Sequence, residues 1–186
     1  MNVVAQLARK TRTLFAKTPK EISWEGGGEE FALRFRRIID KDSHLYIVSN
    51  GAAEGSSWTR EIRTYLQLGC KVSYIYTGLL DEPAENISIL EGEFPRQVRV
   101  HALSKASARS VAGRFAKKYF LTHPTLHVHP TKPALWLEWY HPLASPLAFE
   151  VEYLEPVDTG KDERYKALLE EIKVVTDGRY LAPTAQ

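Results

Sequence analysis

Apolar residues recur along the first half of the chain at two different spacings. From Phe31 to Ile39 they follow the helical period, which predicts a helix with one face on a core. Residues 44–49 and 71–77 are nearly continuous apolar runs, which are typical of strands buried on both faces. Residues 58–66 return to helical spacing. A strand, a helix and a strand with short connections predict a right-handed unit with parallel strand pairing.

Strict alternation of apolar and polar positions in the second half of the chain predicts further strands. The alternating segments are 97–103, 125–129, 134–140 and 149–153. The turn residues 130–133 join the middle two segments, so we expect these to form a hairpin.

Helical spacing also predicts a helix over 105–120 and a closing helix with Tyr165, Leu168 and Ile172 on its core side. Thr159 and Asp162 resemble a capping box ahead of the closing helix.

Three stretches interrupt or precede this pattern. Residues 2–17 read as an amphipathic N-terminal helix that Pro19 ends, and 26–28, three glycines, indicate a loop. Residues 78–95 are polar and acidic and contain prolines, so we expect a surface excursion with room for a short helix. The predicted organisation is an N-terminal helix within 1–20 followed by a single α/β domain over 21–186, in which helices flank a mixed sheet.

Composition places the chain among ordinary soluble domains, with 44% hydrophobic and 26% charged residues in 186. No apolar run reaches the roughly 18 residues that cross a bilayer, and the N-terminus lacks the pattern of a secretory signal. Cys70 is the single cysteine, which excludes an internal disulfide. We therefore expect a cytoplasmic protein, and nothing in the sequence calls for a cofactor.

Charge is segregated along the chain, although the formal net charge is only +2. The span 96–137, called the basic span below, contains no Asp or Glu. Its cations are Arg96, Arg99, Lys105, Arg109, Arg114, Lys117, Lys118 and Lys132, with four histidines among them. A concentrated positive field attracts phosphate-bearing or other acidic partners. The alternative is a solvated face balanced by acids elsewhere in the chain.

The basic span favours a non-catalytic binding or regulatory module whose partner is rich in phosphate, with nucleic acid ahead of anionic lipid. A protein-interaction subunit that docks on an acidic protein is a further alternative. The expected binding residues are Arg99, Lys105, Arg109, Arg114, Lys117, Lys118, His129 and Trp136.

Aromatic residues are densest between Trp136 and Tyr140, where rings could stack on bases beside a basic groove. Alternation assigns Leu135, Leu137 and Trp139 to a core, which leaves Trp136 and Tyr140 as candidate contacts.

His127 and His129 share one strand face, and together they could bind a metal with a carboxylate from a neighbouring strand. The candidate carboxylates are Glu138, Glu150 and Glu152. Because two histidines at this spacing occur often by chance, no metal site is expected.

The order of predicted elements over residues 28–175 resembles one half of the phospholipase D-like fold. Active members of that family carry a His-x-Lys pair on a strand and an Asp after the turn, and two halves face each other in a dimer or pseudo-dimer. Here His127-Val128-His129 occupies the matching strand, with His129 in the place of the lysine and no Asp after the turn. The resemblance implies the fold, with degenerate chemistry. A phosphodiesterase or nuclease that uses His127 as nucleophile in a homodimer is the catalytic alternative.

Overall fold

The computed structural model of the protein describes residues 20–49, 57–76, 85–102, 122–140, 148–154, 156–159 and 162–176. The strands in this part of the chain are β1 (Lys20–Ser23), β2 (His44–Ser49), β3 (Lys71–Tyr76), β4 (Val98–Ala102), β5 (Thr122–Val128), β6 (Ala134–Tyr140) and β7 (Ala148–Leu154). The helices are α1 (Trp24–Phe35), α2 (Ser57–Gln67), α3 (Glu85–Glu93), α4 (Pro156–Thr159) and α5 (Glu163–Val174).

The seven strands form one mixed sheet in the order β1-β7-β6-β5-β2-β3-β4. Strands β2, β3 and β4 are parallel, which confirms the predicted crossover unit. Strands β5 and β6 pair antiparallel, which confirms the predicted hairpin, and the other pairings in the sheet are also antiparallel. The predicted α/β class, a mixed sheet flanked by helices, is therefore confirmed.

Because β2, β3 and β4 are parallel, their first residues lie together at one end of the sheet and their last residues at the other. The edge where they begin carries His44, Lys71 and Val98, and is called the amino edge below. The end of β5 and the start of β6 lie at the same edge, because Val128 pairs with His44 and Ala134 pairs with His127. The opposite edge, called the carboxyl edge, carries the ends of β2, β3 and β4 and the start of β5.

Apolar side chains pack against both faces of the sheet. One core cluster joins α1, α2 and α3 to one face, where Phe31, Tyr65 and Leu90 are buried. The other joins α5 to the opposite face through Leu168 and Ile172. Burying both faces explains why β2 and β3 are nearly continuous apolar runs in the sequence.

The helix α1 includes the three glycines at 26–28, so the expected loop there is wrong. Each glycine costs about 1 kcal/mol relative to alanine in a helix interior. The rings of Phe31 and Phe35 are fully buried on this helix. Burial of two such rings contributes roughly 1.5–3 kcal/mol each, which equals or exceeds that cost.

The strand β1 has no counterpart in the sequence-based prediction. It is four residues long and pairs antiparallel with β7, with Lys20 opposite Val151 and Ser23 opposite Ala148. A strand this short contains too few positions to show an alternating pattern, so only its pairing with β7 identifies it as a strand. The expected N-terminal helix over 2–17 lies outside the described residues.

The acidic stretch 78–95, expected mainly as a surface excursion, contains the nine-residue helix α3. Leu90 is 1% exposed and Phe94 packs against the same core, so two apolar residues dock the helix.

The closing helix α5 begins later than a capping box with Thr159 as N-cap predicts. Asp162 is its N-cap and accepts a hydrogen bond from the Arg164 backbone N–H at 2.7 Å. Thr159 ends α4 and donates a hydrogen bond from its hydroxyl to the Leu154 carbonyl at 3.1 Å.

Within the described residues, no helix has the length and hydropathy to cross a bilayer.

Candidate functional site

Three of the eight cations of the basic span fall in the described part of the chain, namely Arg96, Arg99 and Lys132. The predicted contacts Lys105, Arg109, Arg114, Lys117 and Lys118, and the helix expected over 105–120, lie outside the described residues.

Arg96 and Arg99 lie at the edge strand β4 and are exposed. Val98 and Val100 pack into the core beneath α3, so Arg99 projects from the opposite face of the sheet. Neither arginine makes an ion pair with another described residue. Both guanidinium groups are therefore exposed cations without a counter-ion among the described residues.

Lys132 lies in the turn between β5 and β6, at the amino edge, and two strands separate β5 from β4. Its Nζ is 3.2 Å from Asp40 Oδ2, so a carboxylate offsets its charge. Lys132 therefore does not extend the surface that Arg96 and Arg99 present.

His127, the candidate nucleophile, is fully buried near the end of β5. Its Nε2 lies 2.9 Å from Ser43 Oγ, and the Tyr165 hydroxyl donates to its carbonyl at 3.1 Å. Burial, followed by a smaller effect of His129, lowers the pKa of His127 to about 4. A neutral ring held in the core is out of reach of a phosphodiester in this conformation.

His129, expected as a binding residue, is also turned inward, with 7% of its side chain exposed. Its Nδ1 accepts hydrogen bonds from the Thr131 and Lys132 backbone N–H groups, both at 3.1 Å. The ring proton therefore resides on Nε2, which lies 3.2 Å from Asp40 Oδ1. His129 fixes the β5–β6 turn against the connection between α1 and β2 rather than facing solvent.

Asp40 is the centre of this polar cluster at the amino edge. Its carboxylate also accepts from the Asp42 backbone N–H at 2.9 Å. Desolvation opposes ionisation, but that hydrogen bond and the Lys132 and His129 side chains lower the pKa of Asp40 to about 2.

The ligand atoms of Asp40, Asp42 and His129 lie within 4.8 Å of one another, which is close enough for a shared metal ion. The donor chemistry does not fit one. Nε2 of His129 carries a proton and Lys132 already occupies the other Asp40 oxygen. Glu152, a candidate ligand from the sequence, instead binds Arg164 through both of its oxygens, at 3.1 and 2.9 Å.

Trp136, expected as a ligand contact, is fully buried in the core beneath α1. Its ring meets that of Phe31 edge to face, with centroids 5.4 Å apart. Leu135 and Leu137 are buried on the other face, as predicted. Alternation misassigned Trp136 because β6 is an inner strand that is covered on both faces.

Comparisons with known proteins give no family assignment. No family model and no curated protein matches the sequence. Among solved structures, TrmBL2, described as an archaeal chromatin protein with a novel mode of DNA binding, is 11% identical over 95% of this chain, with a TM-score of 0.48. Polyphosphate kinase from Porphyromonas gingivalis is 12% identical over 94%, with a TM-score of 0.45. This chain spans 60% of the first and 25% of the second.

Proposed function

We propose that this domain is a non-catalytic module that binds the phosphate backbone of nucleic acid. The observation that carries the proposal is the basic span, in which 42 consecutive residues contain no acid. Arg96, just before β4, and Arg99, on β4, are exposed and make no ion pair with a described residue. Clustered cations of this kind supply most of the affinity of sequence-independent nucleic-acid binding.

The segment that carries the remaining cations is held at both of its ends on one side of the sheet. Residues 103–121 connect the end of β4 to the start of β5, and both of these ends lie at the carboxyl edge. Strands β3 and β2 lie between them, so the two ends are about 14 Å apart at the usual strand spacing. We propose that the cations of this segment also contact phosphate. The residues are Lys105, Arg109, Arg114, Lys117 and Lys118.

The absence of turnover is part of the proposal, and the burial of His127 supports it. A nucleophilic histidine needs access to phosphorus and a permanent cation for the phosphate oxygens. His127 is buried beside Ser43, and the nearest lysine, Lys132, binds Asp40. We expect no hydrolysis of bis(p-nitrophenyl) phosphate by the pure protein. Turnover that His127→Ala abolishes would establish the catalytic alternative instead.

Affinity for nucleic acid should depend steeply on salt. We expect fluorescence anisotropy with a labelled 20-base-pair DNA duplex to show affinity falling about 10³-fold between 50 and 200 mM salt, if about six phosphates are contacted. Replacing the five cations of residues 103–121 by glutamine should make the slope of log K against log salt shallower by roughly 0.9 for each phosphate that is no longer neutralised. Arg60→Gln, an exposed change on α2, is the control. Salt-independent binding, or none, would overturn the proposal.

We also propose that the domain is a phospholipase D-like half, on the element order and the hairpin that carries His127-Val128-His129. Two such halves would pair as a homodimer, which sedimentation at micromolar concentration tests directly. A monomer at all concentrations would contradict the pairing and leave the binding proposal intact.

A further inference from the structure

Polar and cationic side chains follow one another across the sheet face formed by the starts of β2, β3 and β4. Paired residues of neighbouring strands project from the same face, and His44 pairs with Lys71 while Ser73 pairs with Arg99. Val72, Tyr74 and Val98 pack under the helices of the other face. The group His44, Lys71, Arg99 and His101 is called the basic strip below.

The two long cations of the basic strip are available to a partner. Lys71 and Arg99 are exposed and the two histidines are half-buried. Within the described residues, neither Lys71 nor Arg99 makes an ion pair. Glu91 is the acidic residue whose charge affects the pKa of His101. Its carboxylate accepts a hydrogen bond from the Val100 backbone N–H at 3.0 Å.

Burial and the neighbouring charges affect the pKa values of the two histidines. Burial, followed by the charges of Lys71 and His101, lowers the pKa of His44 to about 4. Burial also lowers the pKa of His101; Glu91 opposes this and Arg99 adds to it. Lys71 therefore lies close enough to act on the imidazole of His44, and Arg99 on that of His101.

We propose that the basic strip is a phosphate-contact surface for the phosphodiester backbone of nucleic acid. This rests on the proposed function and extends it to Lys71, which lies outside the basic span. Sequence reasoning missed Lys71 because it is an isolated lysine at the start of an apolar strand. Only the parallel register shows that it lies on the same face as Arg99 and diagonally across from it, because Arg99 pairs with Ser73.

The distribution of apolar side chains favours nucleic acid over a lipid surface. A membrane-binding face combines cations with exposed apolar residues that enter the bilayer interface. In the described part of the chain, the large exposed apolar residues are Leu33, Leu68 and Ile89. They lie on α1, after α2 and on α3, the helices that cover the opposite face of the sheet.

The test compares Lys71→Gln with Arg60→Gln, which removes an exposed cation from the helical face. In the anisotropy assay with the same duplex, Lys71→Gln should weaken binding roughly three- to tenfold at 100 mM salt and lower the salt slope by about 0.9. Arg60→Gln should match the unmodified protein. Both side chains are exposed, and thermal unfolding monitored by circular dichroism verifies that both variants fold.

Each outcome decides a different point. If the unmodified protein binds with a steep salt slope and Lys71→Gln behaves like Arg60→Gln, the basic strip is wrong and the proposed function stands. If the unmodified protein does not bind the duplex, both fail together. Binding to phosphatidylserine vesicles without binding to the duplex overturns the choice of nucleic acid.

Discussion

At the scale of single residues, strand position decides what a side chain does. The sequence correctly placed His127 and His129 next to one another, and their rings stack with centroids 5.6 Å apart. It did not predict their burial, because the covering residues Asp40 and Ser43 come from a turn more than 80 positions earlier in the chain. Trp136 shows the same limit, since alternation cannot identify an inner strand whose two faces are both covered.

The buried ring of His127 should make stability depend on pH. Its folded pKa of about 4 lies below the ordinary value of 6.5, so its contribution is complete above pH 6.5 and is lost as pH falls towards 4. By pH 5 the loss is roughly 2 kcal/mol from this residue. Urea unfolding at pH 7.5 and pH 5 measures it.

The matched variant is His127→Gln, which retains a polar group beside Ser43 and does not titrate. Its free energy of unfolding should change less between the two pH values than that of the unmodified protein. Equal changes in both proteins would show that His127 does not remain neutral in the fold.

Trp136→Phe separates a core role from a binding role. The change removes part of a fully buried ring that packs on Phe31, so we expect a loss of roughly 1–3 kcal/mol in the free energy of unfolding. Affinity for the duplex should be unchanged, because the ring is not accessible. Weaker binding with unchanged stability would restore Trp136 as a ligand-binding residue.

At the scale of elements, the sequence predicted long periodic segments well and short or glycine-containing ones poorly. The strands β2 to β7 were each predicted, because each repeats a recognisable pattern over five or more residues. The helix α1 was cut short because three glycines masked a helical stripe that Phe31 and Phe35 define. Two apolar residues, Leu90 and Phe94, were too few to predict α3 from its sequence.

The outer edge of β4 is protected by a side chain of α3. Glu91 Oε1 accepts from the Val100 backbone N–H at 3.0 Å, and the Val98 N–H is bound by the Phe94 carbonyl at 2.9 Å. Unpaired edge groups are templates for pairing with another chain. The helix therefore blocks extension of the sheet on this side.

Glu91→Ala should open that edge. We expect a loss of about 1–2 kcal/mol in the free energy of unfolding and increased self-association in light scattering at high protein concentration. Glu91→Gln retains an acceptor oxygen for Val100, and should remain monodisperse to the same extent as the unmodified protein. If both variants associate equally, the charge of Glu91 and not its hydrogen bond protects the edge.

At the scale of the whole molecule, the fold class and the mixed pairing followed from the sequence, whereas the location of charge did not. The basic span is continuous in sequence but its described cations separate in space: Arg96 and Arg99 lie at β4, and Lys132 lies beyond β2 against Asp40. Conversely, Lys71 is isolated in sequence but shares a sheet face with Arg99, which pairs with Ser73 on the same strand as Lys71. Register, which depends on pairings between distant segments, carries this information.

The pairing of β1 with β7 also constrains when the domain can be completed. Lys20 and Val151 are partners across 131 positions of the chain. At translation rates of about 5–20 residues per second, the ribosome needs roughly 7–26 seconds to supply the second strand after the first. Throughout that interval the first strand has no partner, so faster elongation shortens the time for which its backbone groups are open to pairing with another chain.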